Sequence, residues 1–568
     1  MAGCVRWCAH PPELGRLLQN TLSSQRSSHD PPLPGSKRTD YLQTALIWVC
    51  LVVGGILIGV FAVLEPALAI LSILGLAALP WAIGHIPIVI LLLAAYTPFE
   101  EFILKWLPGS MASALRFAPE ALILLLLVAL LLRNVREGIW WKKTPLDLPA
   151  GLFLLFSGLS ALAYEVPAPV WILGIREFAR YLLLYYLVVN VGLTYKAMKV
   201  LTGVLLAAAV VEAGIGLMQV ILGTQFSLLL VPQDVVVGEV LVREGFTQIM
   251  SGGTRIFGTL GRYSRFGLYL GIFILLASGL YLGLRRQLTN TQKVGFAAFA
   301  AVVAPAMVLS FSRTSWLAMY AGGLVLLALF RWKKMLLAAL LLPVVVTALL
   351  LSSVVIEDWR TGQAEEASLT ERFASTFSPE YLDVLFTRGR LFIVTRVAPI
   401  VLREYTWLGV GPGTMGSIAT GAGTNSPGMF PQYSHEDWLD VSQVGRVASL
   451  RFLHDVGWAS ILTQVGLLGT AAYLWTIFEL ARTALRLFVR VDDAFARSLS
   501  AGYLALVVAV ALSNFAVFSL SLRAISMYLW LFGGVLTVHL LHVGNEHSSP
   551  SLRLGGAMAG GGTPGGHG

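Results

Sequence analysis

The chain has 568 residues and a net charge of +9, yet only 12% of its residues are charged and 56% are hydrophobic. A water-soluble domain carries about 25% charged residues, so the composition excludes a string of ordinary soluble domains and points to one large helical membrane domain with polar tails. The Lys and Arg residues are gathered between apolar runs, which is a topology signal and not a nucleic-acid stripe. Three cysteines, Cys4, Cys8 and Cys50, support no disulfide framework, and Cys4 and Cys8 lack the spacing of a zinc site.

Residues 1–42 are polar and rich in Pro and Ser, without a cleavable leader, and read as a disordered cytoplasmic tail. A spanning helix needs ~20 mainly apolar residues. Runs of that kind cover 43–63, 67–84, 86–99, 118–132, 148–164, 174–192, 198–221, 263–284, 294–312, 314–330, 334–356, 455–479, 497–519 and 524–542. Gly84-His85 either divides two short helices or kinks one long one, so the expectation is about 12 to 14 spans. The fold class is all-α, a polytopic helical bundle. It divides into a transmembrane domain over 43–356, a large loop over 357–453, further transmembrane helices over 454–543 and a Gly-rich, disordered tail over 544–568.

Five short loops carry the positive charge: Arg133, Arg136, Lys142 and Lys143; Lys196 and Lys199; Arg285, Arg286 and Lys293; Arg331, Lys333 and Lys334; Arg482, Arg486, Arg490 and Arg497. Alternating helices put all five on one side, which is then cytoplasmic, as are both termini. Two longer segments, about 223–262 and 356–453, fall on the outer face. Long loops are usually functional. The second has aromatic residues throughout and amphipathic spacing near Leu391–Leu402, so it predicts a small, mainly helical outer cap.

The outer segments hold many arginines: Arg255, Arg262 and Arg265 before and within the run at 263–284, Arg313 at the junction of two helices, and Arg388, Arg390, Arg396 and Arg403 in the large loop. A guanidinium is permanently charged and grips phosphate with a planar fork. Converging arginines at a membrane surface suit a lipid diphosphate; the alternative is pairing with carboxylates or snorkelling to headgroups. His454 opens the helix after the large loop, where a histidine serves either as general base or as a helix-end anchor. His435, beside Glu436 and Asp437, sits in a loop and reads as part of a solvated polar cluster. Gly409-Val410-Gly411-Pro412-Gly413 lacks the Lys-Ser/Thr ending of a phosphate loop and reads as a tight turn.

Glu212, inside an apolar run, is a functional candidate by default; with the outer arginines it would line the path of a transporter for a small anion or a lipid-linked saccharide. Arg176, Glu177 and Arg180 are spaced to neutralise one another. There is no nucleotide-binding motif and no His/Cys/carboxylate set with metal-ligand spacing. Glu100-Glu101 is the one feature reminiscent of metal-dependent membrane glycosyltransferases.

Four segments together resemble the O-antigen ligase/polymerase superfamily of bacterial envelope proteins. Arg255-Ile256-Phe257-Gly258-Thr259-Leu260 is similar to its Arg-x-x-Gly-Thr-Phe segment. Leu309-Ser310-Phe311-Ser312-Arg313-Thr314-Ser315-Trp316 resembles its Ser-Arg signature. Gly389-Arg390-Leu391-Phe392, continuing to Gly409–Gly413, resembles its loop pattern, and His454-Asp455 with Val465-Gly466-Leu467-Leu468-Gly469 resembles its closing element. Asp455 and Leu260 depart from the usual Asn and Phe.

The resemblance covers roughly residues 200–480. It implies a metal-independent, cofactor-free glycosyltransferase of the C-type membrane architecture, in the bacterial inner membrane. The donor would be an undecaprenyl-diphosphate-linked glycan. The acceptor would be lipid A-core for a ligase, or another growing glycan for a polymerase. By the same resemblance Arg255 and Arg313 hold the diphosphate and His454 acts on the acceptor hydroxyl, with Arg262, Arg265, Arg388 and Arg390 as further substrate contacts. Membrane lipid is an expected partner and nucleic acid is not.

Overall fold

The computed structural model describes residues 66–107, 115–231, 255–341, 398–415 and 456–547, with the short stretches 111–112, 235–237, 240–242, 383, 386, 390–392 and 394–395. The tail over 1–42, the run at 43–63, most of the run at 334–356, Arg388, Arg396, His435 and His454 lie outside the described residues.

The protein is helical throughout its body. In chain order the helices are α1 (Pro66–Gly84), α2 (Ile86–Tyr96), α3 (Glu100–Leu104), α4 (Ala118–Glu137), α5 (Asp147–Ala163), α6 (Ala168–Ala179), α7 (Leu182–Val191) and α8 (Tyr195–Leu230). Then follow α9 (Tyr263–Leu284), α10 (Asn290–Leu309), α11 (Arg313–Leu329), α12 (Ala398–Glu404), α13 (Gly457–Arg490), α14 (Ala494–Ser513) and α15 (Arg523–His547). A two-stranded antiparallel hairpin, Val235–Val237 against Val240–Val242, follows α8. Among the described residues, eight helices are long and apolar enough to cross a membrane, and α5, α7 and α11 are shorter apolar helices.

Local chemistry explains most boundaries. The chain breaks at His85, two residues before Pro87, so 67–99 is two helices. Thr194 caps α8, Thr289 and Gln292 form a capping box on α10, and Asp493 caps α14. Gly223 (φ 72) kinks α8 and Gly466 (φ 64) kinks α13, each in the left-handed region open to glycine.

The bundle core lies where α9, α13, α14 and α15 pack, with Tyr269, Phe273, Tyr503, Tyr528 and Trp530 fully buried. α9 and α14 cross at a glycine seam: a Cβ on Gly279 would lie 2.5 Å from the Gly502 nitrogen. Small residues let membrane helices approach this closely where apolar burial alone gives no drive.

All five basic loop clusters fall at one end of this bundle. There Lys142 donates to the Val189 carbonyl, Tyr195 donates to Asp493, Lys199 sits over Tyr195 and Phe495, Arg285 sits over Trp332, and Phe330 meets Phe488. The arginines singled out before α9 and α11 fall at the opposite end, since each of these helices runs from its arginines to a basic loop.

Candidate functional site

Two turns meet at that opposite end. The first is Arg255–Leu260, which leads into α9. One face of α8 carries Glu212, Gly216 and Gln219 at i, i+4 and i+7, so they form a stripe along the helix. Gln219 Oε1 accepts from the backbone N–H of both Phe257 and Gly258, each at 2.9 Å. Glu212 Oε2 accepts from the Thr259 N–H at 3.1 Å, and Glu212 Oε1 is hydrogen-bonded to the Thr259 hydroxyl. Thr259 Oγ1 also lies 3.0 Å from the Pro98 carbonyl. Gly258 has φ 57, and a Cβ there would sit 2.6 Å from Glu212 Oε2. The glycine is therefore demanded twice, by its dihedral and by its neighbour. Arg255, half-buried, lays its guanidinium over the Tyr263 ring, 4.7 Å from the centroid.

The second turn is Ser310–Arg313, between α10 and α11. Phe311 holds φ 52, an uncommon value for a non-glycine residue. Ser312 caps α11 by accepting from the Ser315 N–H, and Ser315 Oγ lies 2.7 Å from Ser312 Oγ. Arg313 is thereby the first residue of α11. The turns are joined: the Ile256 N–H donates to the Leu309 carbonyl (3.4 Å), and Ser315 Oγ donates to the Ser264 carbonyl (3.4 Å). Gly267 lets them close, since a Cβ there would lie 2.4 Å from Ser310 Oγ. The N-termini of α9 and α11, each the positive end of a helix dipole, thus lie together with Arg255, Arg262, Arg265 and Arg313. That arrangement favours an anion on physical grounds.

Carboxylates from other elements surround this end. Glu101 pairs with Arg265 (3.6 Å) and Arg116 (3.5 Å). Glu100, buried, pairs with Arg523 at the head of α15, whose Nη2 also donates to the Arg116 carbonyl. Glu120 takes both Arg176 (2.8 Å) and Arg180 (3.3 Å), and Arg176 stacks over Phe117 at 4.3 Å. Of the expected local set Arg176, Glu177 and Arg180, the two arginines share a carboxylate that comes from α4. Glu100-Glu101, the feature reminiscent of metal-dependent membrane glycosyltransferases, holds arginines. Among the described residues no group of three His, Cys, Asp or Glu side chains could hold a metal ion.

The large loop returns to the bundle through Thr406–Met415. The Val410 N–H donates to the Thr463 carbonyl (2.9 Å), Gly411 N–H to the Gln464 carbonyl (3.0 Å) and Gly413 N–H to Gln464 Oε1 (2.7 Å). Leu467 N–H, just past the Gly466 kink, donates back to the Thr406 carbonyl. Gly413 and Gly174 touch backbone to backbone, which puts α6 against the same strip. The Gly409–Gly413 motif is therefore the expected positioning turn. Phe392 and Val394 pack with Val401, Val410, Met415 and Val456 in a small satellite core, so the helical turn bearing Arg390 (Arg390–Phe392) is seated on the start of α13.

Of the residues singled out from sequence, Arg255, Arg262, Arg265 and Arg313 share one end, Arg390 is half-buried on the loop's satellite core, and Arg403 is exposed on α12. Sequence reasoning did not find Gln219, Tyr263 and Glu120 as parts of this end. The Phe257 and Gly258 partners of Gln219 and the arginine partners of Glu120 lie 38 or more positions off in the chain, and only Gln219, polar in an apolar run, gave a local signal.

Residues 296–445 match the family described as O-Antigen ligase. The match runs from α10 through the Ser310–Arg313 turn and α11 into the large loop; it contains Arg313, Arg388 and Arg390. Arg255, Arg262, Arg265 and His454 lie beyond it. No curated protein matches the chain.

Proposed function

We propose that this multi-pass membrane protein, whose residues 296–445 match the O-antigen ligase family, transfers a glycan from an undecaprenyl-diphosphate-linked donor to an acceptor at the outer face of the bacterial inner membrane. The single observation that carries this reading is the junction of the Arg255 and Arg313 turns, hydrogen-bonded to each other at the N-termini of two helices.

In this reading Arg255 and Arg313 grip the donor diphosphate with charged donor forks. The acceptor hydroxyl oxygen bonds to the anomeric carbon as the bond from that carbon to the diphosphate breaks, and negative charge grows on the leaving lipid diphosphate. Fixed guanidinium groups and helix N-termini oppose that charge where it develops. His454, two residues before the buried Val456 at the N-cap of α13, takes the acceptor proton. Arg262, Arg265, Arg388 and Arg390 complete the grip on the substrate. The basic loop end faces the cytoplasm, both termini lie inside and 357–453 caps the site from outside. Lipid A-core makes the enzyme a ligase; a second lipid-linked glycan makes it a polymerase.

A transporter of a small anion or lipid-linked saccharide would use Glu212 and the outer arginines along its path. Glu212 is engaged by Thr259, which favours transfer. The test is purified protein mixed with lipid-diphosphate glycan and each acceptor, with mass analysis of products. Arg313→Ala and His454→Ala should each lower turnover by roughly 100-fold or more. A wild-type protein with no product from either acceptor would defeat the reading.

A further inference from the structure

Glu212 and Gln219 are 0% and 4% exposed, and both are directed at one turn of backbone. Between them they hold three consecutive backbone N–H groups, of Phe257, Gly258 and Thr259, and the Thr259 hydroxyl. Arg255 stands two residues before this stretch, and its neighbour Ile256 is held on the other side by the Leu309 carbonyl. The turn is thus fixed from α8 and from the end of α10 at once. Gly216, midway along the stripe, has no room for a side chain: a Cβ would lie 2.5 Å from Phe266 Cζ and 3.2 Å from Ile256 Cδ1. A polar pair in an apolar helix that satisfies one turn, around two glycines, is a device for placing that turn.

We propose that Glu212 and Gln219 are positioning residues for glycan transfer, which set the reach of Arg255 toward the donor diphosphate by clamping the Phe257–Thr259 backbone to α8. The inference rests on the assignment of Arg255 to the diphosphate. It also assigns the intramembrane carboxylate a role in which its charge is not used. A glutamine at 212 offers Thr259 one acceptor and one donor in the same place.

The experiment measures transfer by the full-length protein with an undecaprenyl-diphosphate-linked glycan as donor, for Glu212→Ala, Glu212→Gln, Gln219→Ala, Arg255→Ala and the doubles Glu212→Ala/Arg255→Ala and Gln219→Ala/Arg255→Ala. Monodispersity and thermal midpoint are recorded for each. A misplacement of ~1 Å costs up to about 100-fold in rate, so Glu212→Ala and Gln219→Ala should each lower kcat roughly 10–100-fold with the KM for acceptor unchanged. Glu212→Gln should hold kcat within about 3-fold, as an isosteric hydrogen-bond partner does. Each double should be no slower than Arg255→Ala alone, because residues acting through one group are not additive.

If Glu212→Ala does not fold, the Gln219→Ala cycle decides alone. Doubles that multiply the two single losses would overturn the proposal while leaving the Arg255 assignment intact. A folded but inactive Glu212→Gln would also overturn it, by making the charge itself necessary. An Arg255→Ala protein of normal rate would remove the site assignment first, and this inference with it.

Discussion

Arg313 follows directly on the Ser312 cap, so its backbone position is set by a hydrogen bond within its own turn and not by packing alone. A charged residue in the membrane costs roughly 2.5–3.5 kcal/mol at the helix centre and less toward the surface, and a guanidinium at a helix end can offer its fork to an anion. Arg313→Lys keeps the charge and loses the planar fork. Transfer rates should therefore order as wild type, then Arg313→Lys, then Arg313→Ala, with the alanine protein retaining its thermal midpoint. Equal rates for lysine and arginine would mean that the fork is not used. Glu120 makes a different residue-scale case. It holds two largely buried guanidinium groups, and removing the shared partner of buried charges costs about 3–5 kcal/mol. Glu120→Ala should lower the thermal midpoint clearly in a detergent melt, whereas the exposed Arg133–Glu137 pair on the same helix should be silent when broken.

At the scale of elements, the apolar runs read from sequence became helices almost one for one where the structure describes them, because a spanning helix must satisfy its whole backbone internally and so must be long and apolar. The break was legible as Gly84-His85, and the structure decides that it divides two helices and does not kink one. What was not legible was how far α8 and α13 continue. Both pass through a glycine with positive φ and resume, reaching Leu230 and Arg490. A lone glycine in a helical pattern signals a possible end; the run read at 455–479 already passed Gly466, and what tertiary contact with the Trp407 backbone adds there is the kink. The glycine seam was equally silent, since its partners are on helices far apart in sequence. Gly279→Val should overpack against Gly502 and cost about 1–3 kcal/mol, read as a lower midpoint; Gly295→Val, where no atom lies within 4 Å of the added Cβ, should cost far less.

For the whole molecule, the distribution of charge was the most readable property. The five basic loops marked in sequence do gather at one end, and the arginines before α9 and α11 gather at the other. That Arg255, Arg262, Arg265 and Arg313 lie at one common end was therefore within reach of sequence reading. Their counter-charges were not: Glu100 and Arg523 are 423 positions apart, and Arg176 and Glu120 are 56 apart. Nothing in a local pattern pairs them; only the closure of the bundle does. The orientation can be checked by cysteine labelling in intact cells. Gln287→Cys, between α9 and α10, should be protected from a membrane-impermeant thiol reagent, and Thr424→Cys in the large loop should react. The opposite pattern would put the arginine end in the cytoplasm.

The most direct measurement is mass analysis of the products formed when the purified full-length protein meets an undecaprenyl-diphosphate glycan together with lipid A-core or a second lipid-linked glycan. A glycan moved onto one of the two acceptors, with free undecaprenyl diphosphate released in equal amount and both lost in Arg313→Ala, is the result expected here. Wild-type protein that leaves the donor intact, or an Arg313→Ala protein that transfers as well as wild type, would contradict it.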